Sequence, residues 1–360
     1  MKKLIFSFFV ILSFTVFSYN FEKIEENIEI LFEKGDVPGV SIYIDSSTFV
    51  EPFELNYGYA NLESKKEIHS EQQFRVGSIT KSFTATAILI LKDKGLISLD
   101  DKASKYVDIN DKLLKETTIQ DLMNMSSGIR GYINDDPLDD GFMMQHLINN
   151  PKRFLSPIDL VKHGLELTME MGKAPPFHYS NTNYILLGMI IENVSEKSYE
   201  DFIIDEIIKP LNLKNTIVPS DYKPTKNLAR GYQDLKVGFK DYTEIHPSYV
   251  WSAGSIISSA KDISKWIRSA YLGVLLDQKT RKFLYYGNKL AENVYYTAGL
   301  LKEPHRTWHN GEVIGYLSYA VYYPKNDISV AVLTNGKTGF DLKEKIIETI
   351  EEYIDYGETF

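Results

Sequence analysis

Ser78-Ile79-Thr80-Lys81 stands at the head of an apolar run, Phe83 to Leu91, and this junction constrains the chain most. The run predicts a buried helix. A lysine three residues after a serine lies on the same helix face, so hydroxyl and amine are neighbours. Helix starts leave backbone N–H groups free and carry the positive end of the dipole, which suits a developing oxyanion. Gly77 permits a tight turn just before the serine. The first expectation is therefore a nucleophile beside its base. The same spacing recurs at Ser220–Lys223 and Ser258–Lys261. Only Ser78 follows a strand-like segment, Phe74-Arg75-Val76-Gly77, and opens a long apolar helix.

The 360 residues suit one large domain or two subdomains, and a hydrophobic content of 43% is ample for a core. A formal net charge of −9, with no basic tract, argues against a nucleic-acid partner. The chain has no cysteine, which excludes disulfides, thiol catalysis and thiolate metal sites. Residues 1–18 read as an export signal. Lys2 and Lys3 form the basic start, Leu4 to Phe17 the apolar stretch, and Val16 and Ser18 the small residues before a cleavage point. The stretch is short for a bilayer span, and an uncleaved N-terminal membrane anchor is the alternative. The expected location is periplasmic or extracellular, with no stable membrane span once the signal is removed.

Phe21, Ile24, Ile28 and Leu31 have helical spacing, and Gly35 to Gly39 should end that helix. Val40–Ile44 and Leu55–Ala60 read as strands. Helical patterns dominate from Leu96 to about Leu213. Leu317–Tyr323 and Ile328–Thr334 read as a hairpin, followed by a last helix from Phe340 to Tyr356 with Leu342, Ile346, Ile350 and Ile354 inward. Strands at both ends with helices between predict an α/β (α+β) fold. One antiparallel sheet built from both termini would be flanked by the terminal helices, with a helical region inserted. The expected boundaries are a sheet subdomain at about 19–85 and 230–360, and a helical subdomain at about 86–229.

A serine–lysine pair needs a second acid/base and a strand edge to complete an oxyanion hole. Tyr179-Ser180-Asn181 meets the first need, because Pro175-Pro176 precedes it and an apolar helix from Tyr184 follows. Tyr-x-Asn also occurs at Tyr59, Tyr132 and Tyr286, which read as core tyrosines with satisfied hydroxyls. For the strand edge the Lys/His-x-Gly candidates taken up are Lys236-Val237-Gly238, His309-Asn310-Gly311 and Lys337-Thr338-Gly339. The last reads as the turn into the final helix. His309-Asn310-Gly311 falls on an interior strand, and Gly311 would let a substrate backbone approach closely.

The order Ser78-x-x-Lys81, Tyr179-x-Asn181, His309-x-Gly311 resembles the beta-lactamase-like (penicillin-recognising) serine hydrolases. These include class C beta-lactamases, DD-carboxypeptidases, D-aminopeptidases and related esterases. Asp121-Leu122-Met123, Ser126-Ser127-Gly128, Leu186-Leu187-Gly188, Ser252-Ala253-Gly254 and Gly315-Tyr316 strengthen the likeness. The resemblance implies a beta-lactamase/transpeptidase-like fold and an acyl-enzyme on Ser78. It gives Lys81 the role of proton acceptor and Tyr179 that of proton shuttle. Asn181, His309, Gly311 and Glu312 would bind substrate, with the N–H groups of Ser78 and Glu312 forming the oxyanion hole. No cofactor or metal is implied, and the partner is a small-molecule or peptidoglycan-like substrate. His309 and Asn310 stand where lysine and threonine are usual, which weakens any grip on a substrate carboxylate. Two other readings compete: an exported penicillin-binding or sensing protein with little turnover, and a zinc site on His305 and His309. His69, His146, His163, His178 and His246 read as ordinary surface or loop residues.

Overall fold

The structure is a computed structural model and describes residues 20–136, 141, 147, 149–236 and 238–354. The expected signal at 1–18, His146, Val237 and Tyr356 lie outside them. The first helix, α1 (Phe21–Gly35), starts where the Asn20 side chain accepts from the Lys23 N–H. It ends at Asp36, whose φ of 47° is left-handed. Strands β1 (Gly39–Ser46), β2 (Phe53–Asn61), β3 (Lys66–Glu67) and β4 (Phe74–Arg75) follow, and then α2 (Thr80–Asp93). Next come α3 (Pro157–Met171) and α4 (Asn181–Ser195), with shorter helical turns around them. The chain continues through β5 (Tyr232–Asp234), β6 (Phe239–Asp241), β7 (Ile257–Ser258) and α5 (Ala260–Leu272). It closes with β8 (Asn288–Ala291), β9 (Val294–Thr297), β10 (Leu300–Lys302), β11 (Thr307–Val313), β12 (Tyr316–Tyr323), β13 (Ile328–Thr334), β14 (Gly336–Lys337) and α6 (Leu342–Glu351).

The main sheet runs β3-β2-β1-β13-β12-β11-β10-β9-β8. Its centre joins the two ends of the chain, with Val40 opposite Thr334 and Ser46 opposite Ile328, antiparallel. This is the sheet from both termini that the sequence predicted. Strands β12 and β13 are buried along their whole length because helices cover both faces. On one face α1 and α6 pack Ile24, Ile28, Ile346 and Ile350 against Val40, Ile42, Val330 and Val332. On the other, α5 and α2 meet where Trp266 stacks on Phe83 at 3.8 Å. The Trp266 indole N–H donates to Ser82 Oγ at 2.7 Å. The predicted β12–β13 hairpin and the inward positions of the last helix are present. Among the described residues no helix is long and apolar enough to cross a membrane.

Lys337 differs from its expected place in a simple turn. Gly336–Lys337 forms a short parallel pairing with Tyr232–Gln233. The pairing carries the chain past the end of β12 before α6 begins.

Candidate active site

Every residue from Gln72 to Leu91 is buried except Ser78, which is half-exposed. The serine reaches the surface because a 3-10 turn, Gly77–Ile79, precedes α2. Gly77 has φ +52°, and a Cβ there would stand 2.6 Å from the Glu312 backbone nitrogen. The turn thus sits directly against β11. Beyond Trp308 that strand's edge has no β10 partner, since the ladder ends at the Leu301–Trp308 pair.

Lys81 is fully buried one helical turn further on. Its Nζ lies 3.0 Å from Ser78 Oγ, 2.7 Å from Asn181 Oδ1 and 2.8 Å from the Ala253 carbonyl. Burial without a compensating charge pushes its pKa well below the ordinary lysine value. A neutral amine has two N–H donors and one lone pair. Asn181 and Ala253 take the donors, which leaves the lone pair for the Ser78 O–H.

Tyr179 stands half-buried over the lysine, whose Nζ is 4.8 Å from the ring centroid. Burial raises its phenol above the usual range, while a hydrogen bond with Ser78 acts the other way. It is held as a neutral phenol. His309 lies behind the site, 6.2 Å from the Tyr179 ring and 6.1 Å from that of Tyr296. Burial, with Lys81 adding to it, lowers the imidazole to about 3. His309 Nδ1 pairs with the Asn310 carbonyl, and Nε2 is buried without a hydrogen-bond partner among the described residues.

A cleft of about 760 Å³ opens over Ser78, lined by Tyr179, Asn181, Asn134, Tyr249, Asn310 and Glu312 among others. Two expectations change here. His309 does not line the cleft, so its ring backs Tyr179 rather than meeting substrate. Gly311 does line it, but a Cβ would meet the Val76 carbonyl at 2.0 Å, so the missing side chain admits the chain's own turn rather than a substrate backbone. Glu312 projects from the strand face opposite His309, as alternation requires, and pairs with Lys337 at the cleft's lip. His305 is exposed in the turn before β11 while His309 is buried within it, so the two do not converge.

The competing motifs fall elsewhere. Ser258 is buried in β7, bonded to Thr216 at 2.8 Å. Lys236 sits in the β5–β6 turn with φ +65°. Two of the histidines read as ordinary contact carboxylates: His178 Nε2 lies 2.7 Å from Asp135 and His163 Nε2 lies 3.0 Å from Asp136. Two site residues were missed. Ala253 acts through a backbone carbonyl, which no sequence pattern shows. Asn134 belongs to one of the discarded Tyr-x-Asn triplets, and that recurrence was its available signal.

This fold, with a buried lysine beside a surfaced serine in its cleft, defines a beta-lactamase/transpeptidase-type protein. Residues 24–352 match the family profile described as Beta-lactamase, and the chain belongs to that family of serine hydrolases and penicillin-binding-like proteins. It is 29% identical over 330 residues to Protein flp of Staphylococcus aureus (strain MW2), covering 87% of this chain and 63% of that protein. The chain thus spans less than two thirds of the length of the first curated relatives it matches. Among solved structures it is similar to a D-stereospecific amidohydrolase from Streptomyces sp., with a TM-score of 0.76 and 26% identity over 91% of this chain and 97% of that one. It is also similar to the octameric penicillin-binding protein homologue from Pyrococcus abyssi, with a TM-score of 0.75 and 28% identity over 92% and 78%.

Proposed function

We propose that this protein is an exported serine hydrolase that cleaves an ester or amide through an acyl-enzyme on Ser78. The observation that carries the reading is the buried Lys81 amine, 3.0 Å from Ser78 Oγ, with both of its donors engaged elsewhere. Ser78 Oγ bonds to the substrate carbonyl carbon as its proton passes to Lys81. The oxyanion forms between the N–H groups of Ser78 and Glu312, which the close approach of Gly77 to Glu312 brings together. Collapse breaks the bond to the leaving group. That group takes a proton from the Tyr179 hydroxyl, which regains one from the Lys81 ammonium. Water then attacks the ester, with the same groups serving in reverse. Export rests on the pattern of Lys2, Lys3 and the apolar stretch to Phe17.

For the substrate we favour a neutral short ester or a D-aminoacyl amide over an anionic beta-lactam. A neutral His309 off the cleft surface offers a substrate carboxylate no cation at that position of β11. Likeness to a D-stereospecific amidohydrolase points the same way.

Intact-mass spectrometry after a fluorophosphonate probe tests the reading. One adduct is expected, mapping to Ser78, absent in Ser78→Ala and in Lys81→Ala. Tyr179→Phe should lower turnover of a p-nitrophenyl ester by about two to four orders of magnitude, the range for a positioned acid/base. An adduct on another serine, or near-parental turnover in Lys81→Ala, would refute the assignment.

A further inference from the structure

Tyr132-Ile133-Asn134 has the spacing of Tyr179-Ser180-Asn181 and no part in the chemistry above. Its tyrosine is a core residue, fully buried, whose hydroxyl donates to the Tyr249 carbonyl at 2.7 Å. Its asparagine is different. Asn134 is exposed on the cleft wall, and its Oδ1 accepts from Asn181 Nδ2 at 2.9 Å. The other end of the Asn181 amide accepts from Lys81 at 2.7 Å.

We propose that Asn134 is a positioning residue that holds the Asn181 amide with its oxygen toward Lys81, and so keeps the lysine's lone pair on Ser78. The inference rests on Ser78 and Lys81 being nucleophile and base.

An asparagine amide is nearly symmetric in shape, so its neighbours decide which end points where. With an acceptor at Asn134, the NH2 end of Asn181 faces the cleft wall and the oxygen faces the amine. Flipped, the amide would offer Lys81 a donor in place of an acceptor. One of the amine's N–H groups would lose its partner, and the amine would rotate away from Ser78.

The fold ties the two triplets together on both sides of that contact. Before Tyr179, His178 Nε2 pairs with Asp135 at 2.7 Å, and Arg130 meets the same carboxylate at 3.2 Å. The Gly131 N–H donates to it at 2.7 Å. After Asn181, the Thr182 hydroxyl donates to the Arg130 carbonyl at 2.7 Å and accepts from the Tyr132 N–H at 3.2 Å. The loop from Arg130 to Asp135 is thus fixed on the segment that carries Tyr179 and Asn181.

The titratable groups facing Lys81 are Tyr179, Tyr184 and His309. None is a carboxylate, so an acid at position 134 would introduce one. The test is the second-order rate constant for fluorophosphonate modification against pH, in Asn134→Ala and Asn134→Asp, with thermal midpoints recorded. Asn134→Ala should lose roughly tenfold at every pH, the loss of one part-buried hydrogen-bond partner. Asn134→Asp keeps an acceptor and should keep its maximal rate. Its carboxylate favours the ammonium, so the acidic limb should move to higher pH by about one unit.

A parental profile in Asn134→Ala overturns the proposal. Equal losses in both variants with an unmoved limb overturn it too, because Asn134 would then serve only the loop's fold. Ser78→Ala is the control. Modification surviving there would defeat the nucleophile assignment itself, a failure distinct from that of Asn134.

Discussion

Burying the Lys81 amine favours the neutral form that can accept a proton, and the same burial weakens the fold. Its native pKa is well below the ordinary 10.5. Between the two values the unfolded chain binds a proton that the native chain does not. Stability therefore rises with pH across that window because of this residue. Lys81→Met removes the titration. The thermal midpoint should rise less between neutral pH and pH 10 in the variant than in the parent, measured by calorimetry. An unchanged slope would mean that Lys81 is charged in the native state. His309 shows how far residue types alone could be read. The sequence marked it by motif order, yet its burial behind Tyr179 depends on which strand face meets the helices.

At the scale of elements, the site depends on one close approach, between β11 and the turn that carries Ser78. Gly311 makes it possible: a Cβ there would meet the Val76 carbonyl at 2.0 Å and Ser318 Oγ at 2.3 Å. Neither can retreat, since Val76 O accepts from Ser318 at 2.8 Å and both are buried. Gly311→Ala should destabilise the protein by about 1–3 kcal/mol, as overpacking does. It should also slow fluorophosphonate modification, because the turn would shift with its serine. Urea unfolding and the modification rate check both. Parental values would show that the turn can move freely. The sequence identified Gly311 as necessary and named the wrong neighbour for it. Alternation along β11 was legible, but which segment fills the space before a strand depends on contacts more than two hundred residues apart.

At the scale of the molecule, an acidic chain presents Glu312 at the lip of its cleft, paired with Lys337. Both side chains keep substantial exposure, 57% for Glu312 and 39% for Lys337, so their charges act weakly and are screened by salt. Lys337 then masks Glu312 from approaching substrate. Comparing p-nitrophenyl acetate with the anionic p-nitrophenyl hemisuccinate reads this directly. Glu312→Gln should raise the anionic-to-neutral kcat/KM ratio by about two- to fivefold, and Lys337→Ala should lower it similarly, as suits an exposed pair. Both effects should fade with added salt. Unchanged ratios would show that Glu312 does not sense the substrate.

The sequence by itself determined the sheet from both termini, the buried helix behind Ser78 and the order of the three motifs. Each is written in local periodicity and turn chemistry: Phe83–Leu91 is apolar but for Thr84 and Thr86, and β12 and β13 carry apolar residues on both faces. Tertiary structure decided which asparagine meets which, that a backbone carbonyl at Ala253 completes the lysine's shell, and that His178 and His163 pair with carboxylates rather than water. These depend on distance and direction between segments far apart in the chain. Asn134 and Asn181 are separated by 47 positions, and only the folded loop brings their amides to 2.9 Å.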